Sequence, residues 1–272
     1  MQYFLFLFLF VFIPIALLIV LHWLDIRRKI PIPEEIRGIS PWIVLIVMVI
    51  IAVIWTTPWD NYLVATGVWS YDPSLVTGVT LGWVPIEEYT FFVVQTIMTG
   101  LLLLWMARHM VLSSDTFQNK LFLRIGSFIA LVPIWIVSLI GFLDIGTLVA
   151  ITGKSPGAYL SLIICWLIPP IMIQLIFGAD ILWHYRRLVV PAILIPTIYL
   201  SAADIVAIFQ GTWHISLTFS TGIFVLDLPI EEGIFFFVTN TLIVFGIILG
   251  IASESRARLE QIINRLYRSD KI

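Results

Sequence analysis

The chain has 272 residues, of which 60% are hydrophobic and only 12% charged, and its formal net charge is −2. Soluble domains carry roughly 25% charged residues, and a chain this apolar has too few polar side chains to cover its surface in water. The composition therefore excludes a soluble enzyme, a nucleic-acid-binding protein and a disordered protein, and it predicts an integral membrane protein.

Seven apolar segments are each long enough to cross the roughly 30 Å hydrocarbon core of a bilayer as a helix. They cover residues 3–24, 40–58, 84–107, 124–149, 158–183, 188–208 and 224–251. Between spans, residues 69–74 and 212–221 combine strand-forming and turn-forming side chains, which predicts short hairpins. We therefore predict an all-α integral membrane protein with seven transmembrane helices and short hairpins on the outer side.

Positive charges are distributed unevenly among the connections between spans. Fourteen of the fifteen Lys and Arg residues follow spans one, three, five and seven, and only Lys154 lies in the other connections. Cytoplasmic loops are enriched in Lys and Arg. The pattern predicts a multi-pass protein of the cell membrane, with its N-terminus outside and its C-terminus in the cytoplasm.

The sequence repeats itself after 144 residues without a gap between residues 60 and 92. The aligned pairs are Asp60 and Asp204, Gly67 and Gly211, Trp69 and Trp213, residues 85–88 and 229–232, and residues 91–92 and 235–236. The repeat predicts two three-helix units, 1–110 and 156–252, with a linking helix and loops at 111–155 and a cytoplasmic tail at 253–272. Because one extra span separates the units, they are expected to be parallel about an axis along the membrane normal.

Two pairs of adjacent glutamates begin the third and seventh spans: Glu87 with Glu88, and Glu231 with Glu232. An ionisable residue at membrane depth is costly and is a functional hypothesis by default. The alternative is a solvated carboxylate that caps a helix N-terminus. In poorly hydrated surroundings a carboxyl group can keep its proton and donate it, while an ionised neighbour accepts one. We predict that these four residues are catalytic.

Further polar and aromatic residues cluster around the glutamates. Asp60 and Asp204 end the second and sixth spans on the same side and are predicted to support the acids. The predicted substrate and cation pocket comprises Phe91, Phe92, Phe235, Phe236, Gln95, Trp69 and Trp213. Aromatic side chains in a span are also typical of lipid-facing or interfacial positions, but together they could shelter a carbocation by cation–π contact.

Nothing in the sequence predicts a metal or a bound cofactor. The chain has a single cysteine, Cys165, and its four histidines show no metal-ligand spacing. It also lacks a Gly-rich nucleotide-binding loop and a nucleophile elbow. The predicted chemistry therefore depends on side-chain carboxyl groups alone.

The twin Pro-Ile-Glu-Glu segments at 85–88 and 229–232, each followed by a Phe pair, lie in two units of three spans. In these features the chain resembles the membrane-integral lycopene cyclase family, whose members occur as two small subunits or as a fused domain. The resemblance implies a lipid-soluble carotenoid substrate and redox-neutral acid/base cyclisation of the ψ-ends of lycopene to β-type rings, giving γ-carotene or β-carotene. It also implies membrane lipid as the surroundings, and it allows a homo-oligomer or contact with other carotenoid enzymes.

Several alternatives stay open at this level. The family motif is strictest at the first glutamate, which favours Glu87 and Glu231, whereas the helix face that Glu88 shares with Gln95 favours the second of each pair. Relatives that form ε-type rings or act on C50 carotenoids show the same motif. A retinal protein is excluded because the seventh span contains no lysine. A channel and a non-catalytic carotenoid-binding protein remain alternatives of another class.

Overall fold

The structure is a computed structural model that describes residues 2–112, 116–152 and 155–269. Two charged residues used for the predicted orientation, Lys154 and Lys271, lie outside the described residues. The predicted linking segment at 111–155 is described only in part.

The described chain is dominated by long helices. Their bounds are α1 Gln2–Leu7, a π-helical turn Phe8–Phe12, α2 Ile13–Arg27, a 3₁₀ turn Glu34–Ile36, α3 Pro41–Ala65, α4 Ile86–His109, α5 Leu121–Thr152, α6 Ala158–His184, α7 Arg186–Phe209, α8 Ile230–Ile251 and α9 Ser253–Ser269. The segment from α1 to α2 forms one continuous span, and seven spans in the described residues are long and apolar enough to cross a membrane. The predicted all-α membrane fold is confirmed.

Two predicted spans have different ends in the structure. The second span, α3, runs to Ala65 rather than residue 58. Pro58 is accommodated within this helix, and Asp60 is buried instead of ending it. The seventh span, α8, begins at Ile230 rather than residue 224, because the residues before it form strands. Apolar composition alone does not distinguish a strand from the first turns of a helix.

Six short strands lie between the helices in the part of the chain that the structure describes. They are β1 Trp69–Tyr71, β2 Thr80–Leu81, β3 Val84–Pro85, β4 Trp213–Ile215, β5 Phe224–Val225 and β6 Leu228–Pro229. The hairpins are β2–β3 and β5–β6, directly before α4 and α8. Segments 69–74 and 212–221 were expected to form hairpins of their own. Instead they contribute one strand each, and β1 pairs with β4 in antiparallel orientation.

The β1–β4 pair joins the two halves of the sequence repeat. Its central partners are Ser70 and His214, which are equivalent residues separated by 144 positions. An antiparallel pair centred on equivalent residues is the arrangement that a two-fold axis through the pair generates. The strands therefore bring the ends of α3 and α7, and the starts of α4 and α8, to one end of the bundle. The proposed domain limits stay a prediction.

Helices α4 and α8 are the most buried spans and pack at the centre of the bundle. Between them Gln95 Nε2 donates to Thr239 Oγ1 at 3.2 Å, and Thr99 Oγ1 donates to Asn240 Oδ1 at 2.7 Å. In contrast, α5 exposes apolar side chains such as Phe122 and Val137. The bundle therefore has a central seam with polar contacts and an apolar outer surface suited to lipid.

A buried ion pair holds α9 against α6. Arg258 donates from both terminal nitrogens to the Asp180 carboxylate, at 2.9 and 2.7 Å, and both side chains are buried. We expect Arg258→Ala to destabilise the protein by about 3–5 kcal/mol, because it leaves the Asp180 charge buried without its partner. Denaturant unfolding in detergent micelles measures this loss.

Arg256→Ala is the matched control for that prediction. Arg256 pairs with Glu260 on the same helix, and both side chains of this pair are mostly exposed. Exposed pairs of this kind contribute little to stability, so the control is expected to unfold like the unmodified chain. Equal destabilisation by the two substitutions would contradict a special contribution from the buried pair.

Candidate active site

The four glutamates are placed by the starts of α4 and α8. Each helix follows the last strand of a hairpin, with Pro85 or Pro229 at its N-cap and the glutamate pair in its first turn. Glu87 and Glu231 are 0% exposed, and Glu88 and Glu232 are 5% and 4% exposed. Solvated helix caps would be accessible, so burial rejects that alternative for all four residues.

The first glutamate of each pair binds the loop that precedes its own helix. Glu87 Oε1 accepts a hydrogen bond from the backbone N–H of Thr77 at 2.6 Å. In the second half, Glu231 Oε1 accepts from the backbone N–H of Thr221 at 2.5 Å and from Ser220 Oγ at 3.1 Å. Oε2 of both glutamates has no hydrogen-bond partner among the described residues. Each side chain therefore ties a loop to a helix N-terminus.

The second glutamate of each pair is bound by tyrosines. Tyr3 and Tyr71 donate to Glu88 Oε2 at 2.6 and 3.0 Å, and Tyr159 donates to Glu232 Oε1 at 2.7 Å. No described residue donates a hydrogen bond to the other carboxyl oxygen of Glu88 or Glu232. One oxygen of each acid is thus held in position, and the other is available to a reacting group.

Glu88 and Glu232 line the same small cavity, with a volume of about 30 Å³. The cavity lies between the two halves of the repeat, next to the β1–β4 pair. Its lining comprises Tyr3, Phe6, Trp69, Tyr71, Glu88, Phe91, Leu200, Asp204, Trp213, Glu232, Phe235 and Phe236. Its walls are almost entirely aromatic or apolar, apart from three carboxyl groups and the phenol groups. Such a volume admits only one or two water molecules.

Five of the seven residues predicted for the substrate pocket line this cavity: Phe91, Phe235, Phe236, Trp69 and Trp213. The other two lie behind it. The Phe92 ring contacts those of Phe91 and Phe235, whereas Gln95 lies in the seam between α4 and α8. The structure thus brings the predicted aromatic residues together and places the predicted amide outside the cavity.

The two aspartates occupy different positions relative to the cavity. Asp204 lines it, but no described residue hydrogen-bonds to its carboxyl oxygens. Asp60 is completely buried outside the lining, near Glu88, and no described residue hydrogen-bonds to its carboxyl oxygens. Both aspartates therefore lie near the glutamates, but of the two only Asp204 lines the cavity.

Sequence reasoning missed the three tyrosines that bind the acids. Tyr3 and Tyr159 lie on separate spans and read as ordinary aromatic residues of a membrane helix, although a buried phenol needs a hydrogen-bond partner. Tyr71 lies on β1, outside the spans. Burial and the nearby Glu88 raise the pKa of the Tyr71 phenol well above its ordinary value. Tyr71 therefore stays protonated at neutral pH and remains a hydrogen-bond donor.

This arrangement can move protons in surroundings that exclude bulk water. Two carboxyl groups from equivalent positions face one aromatic cavity, which suits a general acid and a general base acting on one apolar molecule. The aromatic faces can stabilise a cation that forms between them. Among the described residues, no group of three His, Cys, Asp or Glu side chains is arranged to hold a metal ion.

Comparison with known proteins identifies relatives over most of the chain. The chain is 40% identical over 208 residues to a protein named lycopene beta-cyclase from Halobacterium salinarum, and the match covers 75% of this chain and 80% of the relative. It is 41% identical over 207 residues to a bifunctional lycopene cyclase/phytoene synthase from Phaeosphaeria nodorum, covering 73% of this chain and 34% of that protein. A protein of the same name from Gibberella fujikuroi is 36% identical over 220 residues.

No family model and no solved structure matches the chain. The similarity to the archaeal relative extends over most of both proteins, which is more than a shared motif or a single span would produce. It agrees with the resemblance that the twin Pro-Ile-Glu-Glu segments indicated and with the seven-span architecture. The chain therefore belongs to the lycopene cyclase family.

Proposed function

We propose that this protein closes β-type rings at the ψ-ends of lycopene, as a membrane-embedded acid/base isomerase that needs no bound cofactor. One observation carries the proposal: Glu88 and Glu232, from equivalent positions of the repeat, line a single cavity walled by aromatic side chains. The names of the relatives support lycopene as the substrate and the β-ring as the product.

The reaction requires one proton to be added and another to be removed. A carboxylic acid protonates C2 of the terminal C1=C2 double bond, which leaves a cation at C1. The C5=C6 electron pair then forms the C1–C6 bond and moves the cation to C5. A carboxylate removes the proton from C6, and that electron pair restores the C5=C6 double bond. The product is an isomer of the substrate, so neither an oxidant nor a reductant is consumed.

In this proposal Glu232 is the acid and Glu88 the base. Two phenol groups donate to Glu88 and one donates to Glu232. Hydrogen bonds donated to a carboxylate favour its ionised form, so the more heavily hydrogen-bonded Glu88 suits the base. Asp204 and Asp60 lie beside this pair as supporting carboxyl groups, and Glu87 and Glu231 are positioning residues that hold the two loops.

The aromatic walls have two tasks in this reaction. Phe91, Phe235 and Phe236 can stabilise the positive charge at C1 and C5 through their π-faces. The same side chains limit the space for water to about 30 Å³, which protects the cation from hydration. A cyclase acting on a lipid-soluble molecule gains both conditions by working inside the bilayer.

The orientation and surroundings of the protein belong to this proposal. The excess of Lys and Arg after odd-numbered spans supports an outer N-terminus and a cytoplasmic C-terminus in the cell membrane. In that orientation the catalytic cavity lies towards the outer side, because α4 begins beside it and reaches Arg108 only at its opposite end. A homo-oligomer or contact with other carotenoid enzymes stays a prediction.

Expression of this chain alone in a lycopene-accumulating bacterial host tests the proposed activity. Pigment chromatography is expected to reveal γ-carotene and β-carotene in place of lycopene. Unchanged lycopene, with the protein detected in the membrane, would contradict the proposal, and rings of the ε-type would contradict only the proposed product. A chain carrying both Glu88→Gln and Glu232→Gln is the control for cyclisation by the host.

A further inference from the structure

A second aromatic cavity lies on the lipid-facing side of α3, α5 and α6. It is a groove with a volume of about 470 Å³. Its lining comprises Trp55, Pro58, Trp59, Tyr62, Phe142, Leu162, Cys165, Trp166 and Pro169. We call these residues the aromatic groove. None of them carries a charge, so the groove suits an apolar molecule that reaches the protein from the bilayer.

Trp59 connects the aromatic groove with the catalytic cavity. Its ring lines the groove and also stacks on Phe235, with the centroids 5.6 Å apart and the planes at 10°. It contacts Trp69 edge-on at 5.5 Å as well. Phe235 and Trp69 both line the catalytic cavity. The Trp59 indole therefore packs between the groove and two aromatic side chains that line the catalytic cavity.

This indole is held by packing rather than by polar contacts. Trp59 is buried, and its Nε1 has no hydrogen-bond partner among the described residues. Rotation of this side chain would therefore break no hydrogen bond to the protein. Another lining residue of the groove, Trp166, donates from Nε1 to the backbone carbonyl of Trp55 at 3.0 Å and bridges α6 and α3.

The catalytic cavity and the aromatic groove differ in size, and we therefore expect them to hold different parts of one substrate. Ligand sites typically measure about 300–1,000 Å³, and the catalytic cavity of about 30 Å³ is far smaller. A ψ-end can enter it only when a wall moves, and the remaining polyene must extend out of the cavity. The groove has sufficient volume, contacts that movable wall, and presents flat aromatic faces suited to a conjugated chain.

The equivalent seam in the second half of the repeat is built differently. The residue equivalent to Trp59 is Ala203, and the residue equivalent to Trp166 is His22. The bridge across this seam is a hydrogen bond from the Tyr199 hydroxyl to the Phe10 carbonyl at 2.9 Å. The first seam therefore combines an aromatic groove with an indole that packs on the lining of the catalytic cavity, and the second seam has an alanine in place of that indole.

We propose that the aromatic groove binds the polyene chain of the carotenoid substrate, and that Trp59, together with the Phe235 and Trp69 rings on which it packs, forms the movable wall through which each ψ-end enters the catalytic cavity. This inference rests on the proposed cyclase function. It assigns a binding site for the conjugated chain, separate from the carboxyl groups that act on the end. The substrate enters sideways from the bilayer, between α3 and α6.

The single cysteine of the chain provides a direct test, because Cys165 lines the groove and is partly accessible. The full chain in detergent micelles is treated with N-ethylmaleimide, with lycopene or with squalane, a saturated hydrocarbon of similar solubility. Mass spectrometry follows the alkylation. Lycopene is expected to slow alkylation at least fivefold relative to squalane. Equal rates would overturn the proposal.

A substitution that fills the groove gives an independent test. When Cys165 does not react in either sample, this second test alone decides the proposal. Cys165→Trp is expected to lower lycopene conversion at limiting substrate at least tenfold. Cys165→Ala should stay within about twofold of the unmodified chain. So should Ile50→Trp, which fills a different apolar groove of about 520 Å³ next to Trp42. A Cys165→Trp chain that keeps its melting temperature and converts lycopene normally would overturn the proposal.

The two readouts separate the groove from the chemistry. Protection of Cys165 by lycopene without cyclic product would contradict the proposed function and leave the groove assignment intact. Cyclic product without protection, in a chain whose Cys165 reacts, would contradict the groove and leave the cyclase intact. Glu232→Gln is expected to keep the protection of Cys165, because its position in the catalytic cavity lies outside the groove.

Discussion

Replacing Glu232 by Gln is expected to leave lycopene unchanged, with at least a hundredfold loss of cyclisation. Gln has nearly the same shape, and its amide oxygen can still accept the hydrogen bond from Tyr159. It cannot, however, supply the proton that begins the reaction, and general acid catalysis contributes about 10²- to 10⁴-fold to a rate. Single-turnover conversion of lycopene by the purified variant, followed by chromatography, measures the loss.

Glu88→Gln is the companion variant and is expected to fail at a later step. The acid is still present, so the C1 cation and the ring can form, but the base for the C6 proton is missing. The overall rate should again fall at least a hundredfold. The residual product should contain rings whose double bond is displaced from C5=C6, because another proton is lost instead. Normal β-rings at the normal rate would contradict the role of Glu88 as base.

A second large effect on activity is expected at Glu87, where substitution by Ala should lower the activity much more than substitution by Gln. Glu87→Ala removes the acceptor of the Thr77 backbone N–H, at a cost of about 0.5–1.5 kcal/mol for the lost hydrogen bond, and releases the loop that follows Tyr71. We expect at least a tenfold loss of activity, since Tyr71 positions Glu88. Glu87→Gln keeps an acceptor oxygen and should stay within about threefold. Initial rates on lycopene compare the variants.

Glu231 provides the matched test in the other half of the repeat. Its Oε1 accepts from Thr221 and Ser220 as Glu87 does from Thr77, so Gln should again be tolerated better than Ala. Equal and severe losses for Gln and Ala at either position would assign that glutamate to the proton transfer itself. That outcome would favour the first glutamate of each pair, as the family motif suggests, over the positioning role.

The predictable part of the fold was the part that depends on local composition. Seven apolar segments became seven spans, because a helix that satisfies its own backbone is the simplest solution in lipid. The end of α3 and the start of α8 were misjudged by several residues, since Pro58 and residues 224–229 look the same in composition whether or not they are helical. The pairing of β1 with β4 joins segments 144 positions apart and left no local signal.

In the candidate site, too, the local sequence predicts some features of single residues, whereas packing between helices decides others. Helix geometry indicated that adjacent glutamates point about 100° apart, but not which of them would meet a cavity. That depends on how α4 and α8 pack against each other, and the packing brings Glu88 and Glu232 to the lining. Tyr3 and Tyr159 reach these acids from 85 and 73 residues away. No spacing rule covers such contacts.

The sequence by itself determined the membrane environment, the number of spans, the internal repeat and the twin carboxyl pairs at equivalent depth. These follow from hydropathy and from self-similarity, which are properties of the chain read in order. Only the tertiary structure decided which carboxyl groups share a cavity, which phenols bind them, and that Trp59 packs between the lining of this cavity and a second, apolar groove. Those features arise where distant helices meet, because a side chain's surroundings are set by packing between spans and not by its neighbours along the chain.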